Sequence, residues 1–172
     1  MDARSTLAAD ERQTLQFFFE HLRDAVERTD TPADELLYNA SILAHYALTS
    51  TASLDFPRAP ASLDLVFDVF VLDRSQQTDP EVMEAAGSLC LLLTGFFGAQ
   101  LKHRHNLEWY AGLGASFYDR AAVYSAERGR RAMMAAMATR FTFWRRQQAR
   151  LARELADQAT LKHYPLLFNN PN

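Results

Sequence analysis

The stretch Ala85-Ala86-Gly87-Ser88-Leu89-Cys90-Leu91-Leu92-Leu93-Thr94-Gly95-Phe96-Phe97-Gly98-Ala99-Gln100-Leu101 runs for 17 residues without a charge, and its reading decides the fold. It falls just short of the roughly 20 apolar residues that span a bilayer. Gly87, Ser88, Thr94, Gly95, Gly98 and Gln100 interrupt it, and Glu84 and Lys102 close its two ends. A helix that is apolar all round, yet too short and too broken to cross a membrane, belongs at the centre of a soluble core. Asp79-Pro80-Glu81 supplies its start, with proline at the first helical position and an acid at the positive end of the helix dipole. The segment therefore reads as a central helix near 80–103.

Working outward, apolar residues at three- and four-residue spacing mark further helices. Leu15, Phe18, Phe19, Leu22, Ala25 and Val26 line one face of a segment from 8 to 28. Thr31-Pro32-Ala33-Asp34 is a cap followed by proline and an acid. It opens a helix to 49 with Leu37, Ala40, Leu43, Ala44, Ala47 and Leu48 on its apolar stripe. Pro57 and Pro60 make 50–61 a loop. The β-branched run 63–72 would suit a strand, but no second such run exists to pair with it, and Leu63, Val66, Phe67, Phe70 and Val71 keep helical spacing. It reads as a helix. Asn106 caps a segment from 107 to 126 in which Trp109, Tyr110, Leu113, Phe117, Tyr118 and Ala121 face inward. Gly112 and Gly114 each cost that helix about 1 kcal/mol relative to alanine. Their return is close approach by a neighbouring helix or, alternatively, space for a ligand. After Gly129 a last, long amphipathic helix spans 130–158, followed by an apolar-flecked tail, 161–172. The expectation is an all-α single-domain bundle of about six helices covering 1–172, its interior made for cohesion.

Composition agrees with this reading. A chain of 172 residues with 48% hydrophobic and 23% charged residues can bury a core without staples. Cys90 is the one cysteine, so neither an intramolecular disulfide nor a thiolate cluster can form. Within its apolar run it reads as a buried, inert thiol. Met1-Asp2-Ala3-Arg4 does not open a secretory signal, and a reducing cytoplasm is the expected location.

Gly87-Ser88-Leu89-Cys90-Leu91-Leu92-Leu93-Thr94-Gly95-Phe96-Phe97, followed by Trp109-Tyr110-x-x-x-Gly114-x-x-x-Tyr118, resembles an uncharacterised, mostly proteobacterial all-helical protein family. There a glycine-flanked apolar helix precedes a tyrosine–glycine–tyrosine helix. The match covers about the middle third of the chain. The resemblance implies a bacterial helical scaffold and brings no activity, cofactor or catalytic residue with it.

Patterns that carry chemistry are missing. No histidine has a glutamate three residues before it, as di-iron bundles need. Neither His-Glu-x-x-His, a Gly-x-Ser-x-Gly elbow nor a phosphate-cradling glycine loop occurs. His103 and His105 point about 200° apart on a helix and share a metal only if the helix has ended. Asp64 and Asp68 share a helix face, as they would on any solvated surface. No catalytic residue, metal site or cofactor is assigned. His21 and His45 read as core or boundary histidines. If the bundle holds a polar pocket, His45, Tyr110, Gly114 and Tyr118 are the candidates for its lining.

Charge is the unusual feature. Residues 1–127 hold 19 acids and 9 bases, net −10, whereas 128–153 hold eight arginines and no acid, net +8; residues 154–172 add −1, giving −3 in all. On one continuous helix Met133, Met134, Met137, Phe141, Trp144, Leu151 and Leu155 fall in one sector. Arg128, Arg131, Arg146, Arg150 and Arg153 fall opposite, with Phe143 among them as an outlying aromatic. Such a face suits the acidic helices of this chain or a second copy, or an acidic protein partner. Nucleic acid and anionic membranes are disfavoured, because the rest of the body is acidic. The expected function is non-catalytic binding, as an adaptor, regulator or homo-oligomer. A small-molecule or enzyme pocket around Gly112–Gly114 is the alternative.

Overall fold

The computed structural model describes residues 3–49, 66, 71 and 74–163, with side chains described between 10 and 158. Among these residues the chain is all helix. The order is α1 (Ala3–Val26), α2 (Ala33–Thr49), a 3-10 turn at Arg74–Gln76, α3 (Pro80–Thr94), α4 (Gly98–Leu101), α5 (Leu107–Tyr124), α6 (Arg128–Thr139) and α7 (Phe141–His163). The expected loop at 50–61 and the tail beyond 163 lie outside the described residues. So does most of the 63–72 helix, of which Val66 is helical and buried.

Two expected helices are each divided. The central one ends at Thr94, where Gly95 leaves helical backbone (φ −94°, ψ −85°), and resumes as the short α4. The long basic helix breaks at Arg140 (φ −102°, ψ 17°) into α6 and α7. Just before that break Thr139 turns its hydroxyl back onto the Ala135 carbonyl at 3.0 Å, a local bond that bends helices.

Caps set the starts as read from the sequence. The Asp79 carboxylate accepts from the amides of Glu81 (2.9 Å) and Val82 (3.2 Å). The Asn106 side chain accepts from Trp109 N–H at 3.2 Å. Both satisfy amides that the helix itself leaves open. The first turn of α6 is less favourable, because Arg128, Arg130 and Arg131 crowd its positive end. Glu84 and Glu81 offset this by pairing with Arg130, and the Ser125 carbonyl takes the Arg131 guanidinium at 2.9 and 3.2 Å.

The main packing is α3 against α5, then α5 against α6 and α1 against α2, with α7 touching α1, α3 and α5. Two glycines bring α3 and α5 together. A Cβ on Gly114 would stand 2.6 Å from Cys90 Cβ and 2.6 Å from Phe141 Cζ; one on Gly87 would stand 2.9 Å from the Tyr118 ring. Gly114 thus makes a close approach, whereas Gly112 is exposed with nothing within 4 Å. Leu91, Leu93, Phe97, Met134, Met137, Phe141 and Trp144 are fully buried around this crossing. Each contributes about 1.5–3 kcal/mol of burial. On α2 the buried stripe is Leu36, Ala40, Leu43 and Ala44, while Leu37, Ala47 and Leu48 are exposed.

The interior is not purely cohesive, contrary to expectation. Glu35 and Asn39, one turn apart on α2, are buried at 5% and 0% exposure. Glu35 accepts from the Trp144 indole N–H at 2.9 Å and pairs with Arg140 at 3.2 Å. Asn39 donates to the Glu35 carbonyl (2.9 Å) and accepts from Gln148 at 3.4 Å. A buried carboxylate survives because donors surround it.

Candidate functional site

Two concave sites stand out, and they share no lining residue. The first is a cavity of about 650 Å³ between α2 and α3. Tyr38, Ile42, His45 and Tyr46 enter from α2 at three- and four-residue spacing; Glu84, Ser88, Leu89 and Leu92 enter from α3 in the same way. Its polar end rests on a chain of hydroxyls. Tyr38 OH donates to Glu84 Oε1 at 3.1 Å, Ser88 Oγ lies 3.1 Å from Tyr38 OH and 2.9 Å from Tyr118 OH, and Glu84 Oε2 accepts from Arg130 Nε at 2.8 Å. Burial pushes both phenols well above the ordinary tyrosine value, so they stay neutral. The same cause lifts the Cys90 thiol to about 12. Tyr38, Tyr118 and Cys90 are therefore held in their protonated forms.

The sequence-derived pocket residues do not assemble as expected. His45 lines this cavity from an exposed position on α2. Tyr118, with no exposure, lies beneath its floor as a partner of Ser88. Tyr110 packs instead against the Trp109 and His105 rings, at centroid distances of 4.8 and 6.0 Å. Gly114 has no room beside it for a ligand, because Phe141 and Cys90 fill that space. Sequence reading missed Tyr38, Glu84 and Ser88. The signal was a stripe on α2, from Tyr38 through Ile42 to Tyr46, that faces α3 beside the deeper core stripe.

The second site is a groove of about 470 Å³ framed by the end of α3, α4, the start of α5 and α7. Its floor is made of small residues, among them Gly98, Ala149, Ala152 and Ala156, and its walls carry Lys102, Arg145, Arg146 and Arg153. Arg145 is anchored, donating to the Thr94 carbonyl at 3.2 Å and to Glu108 at 2.7 Å. Among the described residues, Lys102, Arg146 and Arg153 have no carboxylate within ion-pair distance. Arg150 stands beside them on α7 and pairs with Glu154 at 2.8 Å.

The expected basic face is thereby divided. Arg146, Arg150 and Arg153 share one side of α7, whereas Arg128 and Arg131 belong to α6 beyond the break at Arg140. Phe143 sits at the edge of the arginine side of α7, where that side meets the core. It packs half-buried onto the core, edge-on to Trp144 (5.2 Å) and under the Arg140 guanidinium at 4.5 Å. The break at Arg140 separates Arg128 and Arg131 from the arginines of α7 and leaves the spacing within α7 unchanged.

No three histidine, cysteine, aspartate or glutamate side chains converge as a metal-ligand set among the described residues, and no described helix is long and apolar enough to cross a membrane. Comparison of the chain with protein-family models, curated proteins and solved structures found no match.

Proposed function

We propose that this protein acts by binding rather than by catalysis, receiving an acidic protein surface along the arginine-bearing side of α7. One observation carries the reading: Lys102, Arg146 and Arg153 line a groove and, among the described residues, have no carboxylate partner of their own. Cations left this way attract an acidic partner and steer its approach. The alanine floor supports a helical partner, since small side chains at this spacing let two helix backbones come close. From Thr142 to Ala156 the groove-facing side of α7 is about 21 Å long, room for a helix of four turns.

Symmetric pairing of two α7 helices is disfavoured, because Arg146, Arg150 and Arg153 would then meet their own copies. A second copy can still engage head to tail, through the exposed acids Asp10, Glu11 and Asp24 on α1 and Glu27 just after it. The family resemblance and the single buried cysteine support a bacterial, cytoplasmic adaptor or oligomer-forming protein of this kind.

A pull-down comparing the wild-type protein with the triple variant Arg146→Glu, Arg150→Glu, Arg153→Glu tests the proposal. The wild type retains a partner at about 0.1 M salt and releases it at about 0.5 M, where surface charges are screened, and the variant loses it at both. Recovery of the same proteins by the variant at low salt removes this face from consideration.

A further inference from the structure

The cavity between α2 and α3 takes no part in the basic groove, and its chemistry differs. Its volume of about 650 Å³ falls in the range of small-molecule sites rather than macromolecular surfaces. Tyr38 donates to Glu84, and Tyr46 meets Phe97 edge-on at 5.1 Å, so α2 and α3 run in the same direction along it. The cavity consequently has two unlike ends. Toward the start of α3 it is polar, with Glu81, Glu84, Tyr38 and Ser88; toward Leu92 and Tyr46 it is walled by Ile42 and Leu89, with the exposed His45 and Thr49 of α2 beside them.

The sign of the polar end follows from its partners. Two carboxylates, Glu81 and Glu84, face one guanidinium, Arg130, so the local sum is −1. Glu84 is fully engaged, one oxygen by Tyr38 and the other by Arg130. Glu81 is not: its side chain is 78% exposed and meets Arg130 only at 3.7 Å. An anion would be repelled here, and a neutral polar head would leave Glu81 as it is. A cationic head gains an ion pair with Glu81 and lies close to the Tyr38 ring.

We propose that this cavity binds a small molecule with an apolar body and a single ammonium head, the head at Glu81 and the body along Ile42, Leu89 and Leu92. The eight helical steps from Glu84 to Leu92 span about 12 Å, the length of a short alkyl chain. Neither a bond nor a proton changes hands; the site holds and releases.

Calorimetric titration with octylammonium, octanol and octanoate, three probes of equal length and different head charge, tests this on the full chain. Octylammonium binds about tenfold more tightly than octanol, the sum expected of a rim ion pair and a cation–π contact, and octanoate binds more weakly than both. Glu81→Gln removes the preference for octylammonium while leaving octanol unchanged. Ala85→Phe, which fills the cavity from an exposed position on its wall, abolishes binding of all three. Thermal unfolding of both variants stays within a few degrees of wild type, since both positions face solvent. The proposal is overturned if no probe binds the wild type, if the three bind equally, if Glu81→Gln keeps the preference, or if Ala85→Phe still binds octylammonium.

Discussion

Where α3 crosses α5, glycines bring backbone to within reach of a phenyl ring, a phenol face and the Cys90 Cβ. Where α2 meets α7, the filling is a carboxylate, a carboxamide and an indole N–H. Both regions are sealed from water, but they cohere differently. At the crossing, stability comes from matched volumes, so added bulk does the damage. At the α2–α7 contact it comes from hydrogen-bonded polar pairs, so a missing partner does the damage. A closely packed crossing tolerates chemistry poorly at one point only, whereas a polar contact fails at any member.

Alkali tests the crossing first, with the largest expected effect. The Cys90 thiol is raised from 9.0 to about 12 in the folded protein, and Tyr38 and Tyr118 are raised above the ordinary tyrosine value of 10.0. Their protonated forms are favoured by folding. The stability they contribute is present in full below about pH 9, and it declines as pH climbs from there toward 12, because the unfolded chain then releases protons that the folded chain keeps. Helical circular dichroism and tyrosinate absorbance should therefore change together above pH 10. If all the phenols ionise near pH 10 while helicity persists, the buried hydroxyl chain is not as described.

Gly114→Ala should cost about 3 kcal/mol in chemical denaturation, since even one methyl group collides with Cys90 and Phe141. A cost below about 1 kcal/mol would mean that the crossing is loose. On the polar side, Glu35→Ala strands the Trp144 N–H and removes an ion partner from Arg140. About 2 kcal/mol is expected. An unchanged midpoint would reduce that contact to ordinary packing. Ser88→Ala leaves Tyr118 OH with Tyr38 alone, at 3.5 Å, and should cost about 1 kcal/mol. The smallest effect has the opposite sign. Gly112→Ala, exposed and unobstructed, should stabilise by about 0.5–1 kcal/mol, and a loss there would show that Gly112 also packs closely.

Apolar periodicity and caps made the architecture legible. Asp79, Asn106 and the Phe18, Leu22, Val26 stripe are where the spacing places them, because local hydrogen bonds and one-sided burial act over a few residues. The division at Arg140 was not legible, since it depends on a hydroxyl at Thr139 and on Glu35, more than a hundred residues away. Glu35 and Asn39 are polar by type; the Arg140 guanidinium and the indole and amide arriving from α7 make their burial tolerable. Gly114 was recognised as a site of close approach, whereas Gly112, two residues away, shows no such contact. The cavity escaped for a related reason: Tyr38 and Ser88 are unremarkable singly, and they gain meaning only when α2 and α3 lie side by side.

The Glu35–Trp144 bond has a consequence for the exterior. Greasy helix faces can slide past one another by a turn, about 5.4 Å, and repack at modest loss. A single carboxylate matched to a single indole cannot, because one step in either direction strands both. It works as an indexing pin: with α7 pegged at Trp144, only one set of its residues can look outward. Arg146, Arg153 and the alanines between them therefore owe their fixed aim to an acid of α2, hidden behind α7.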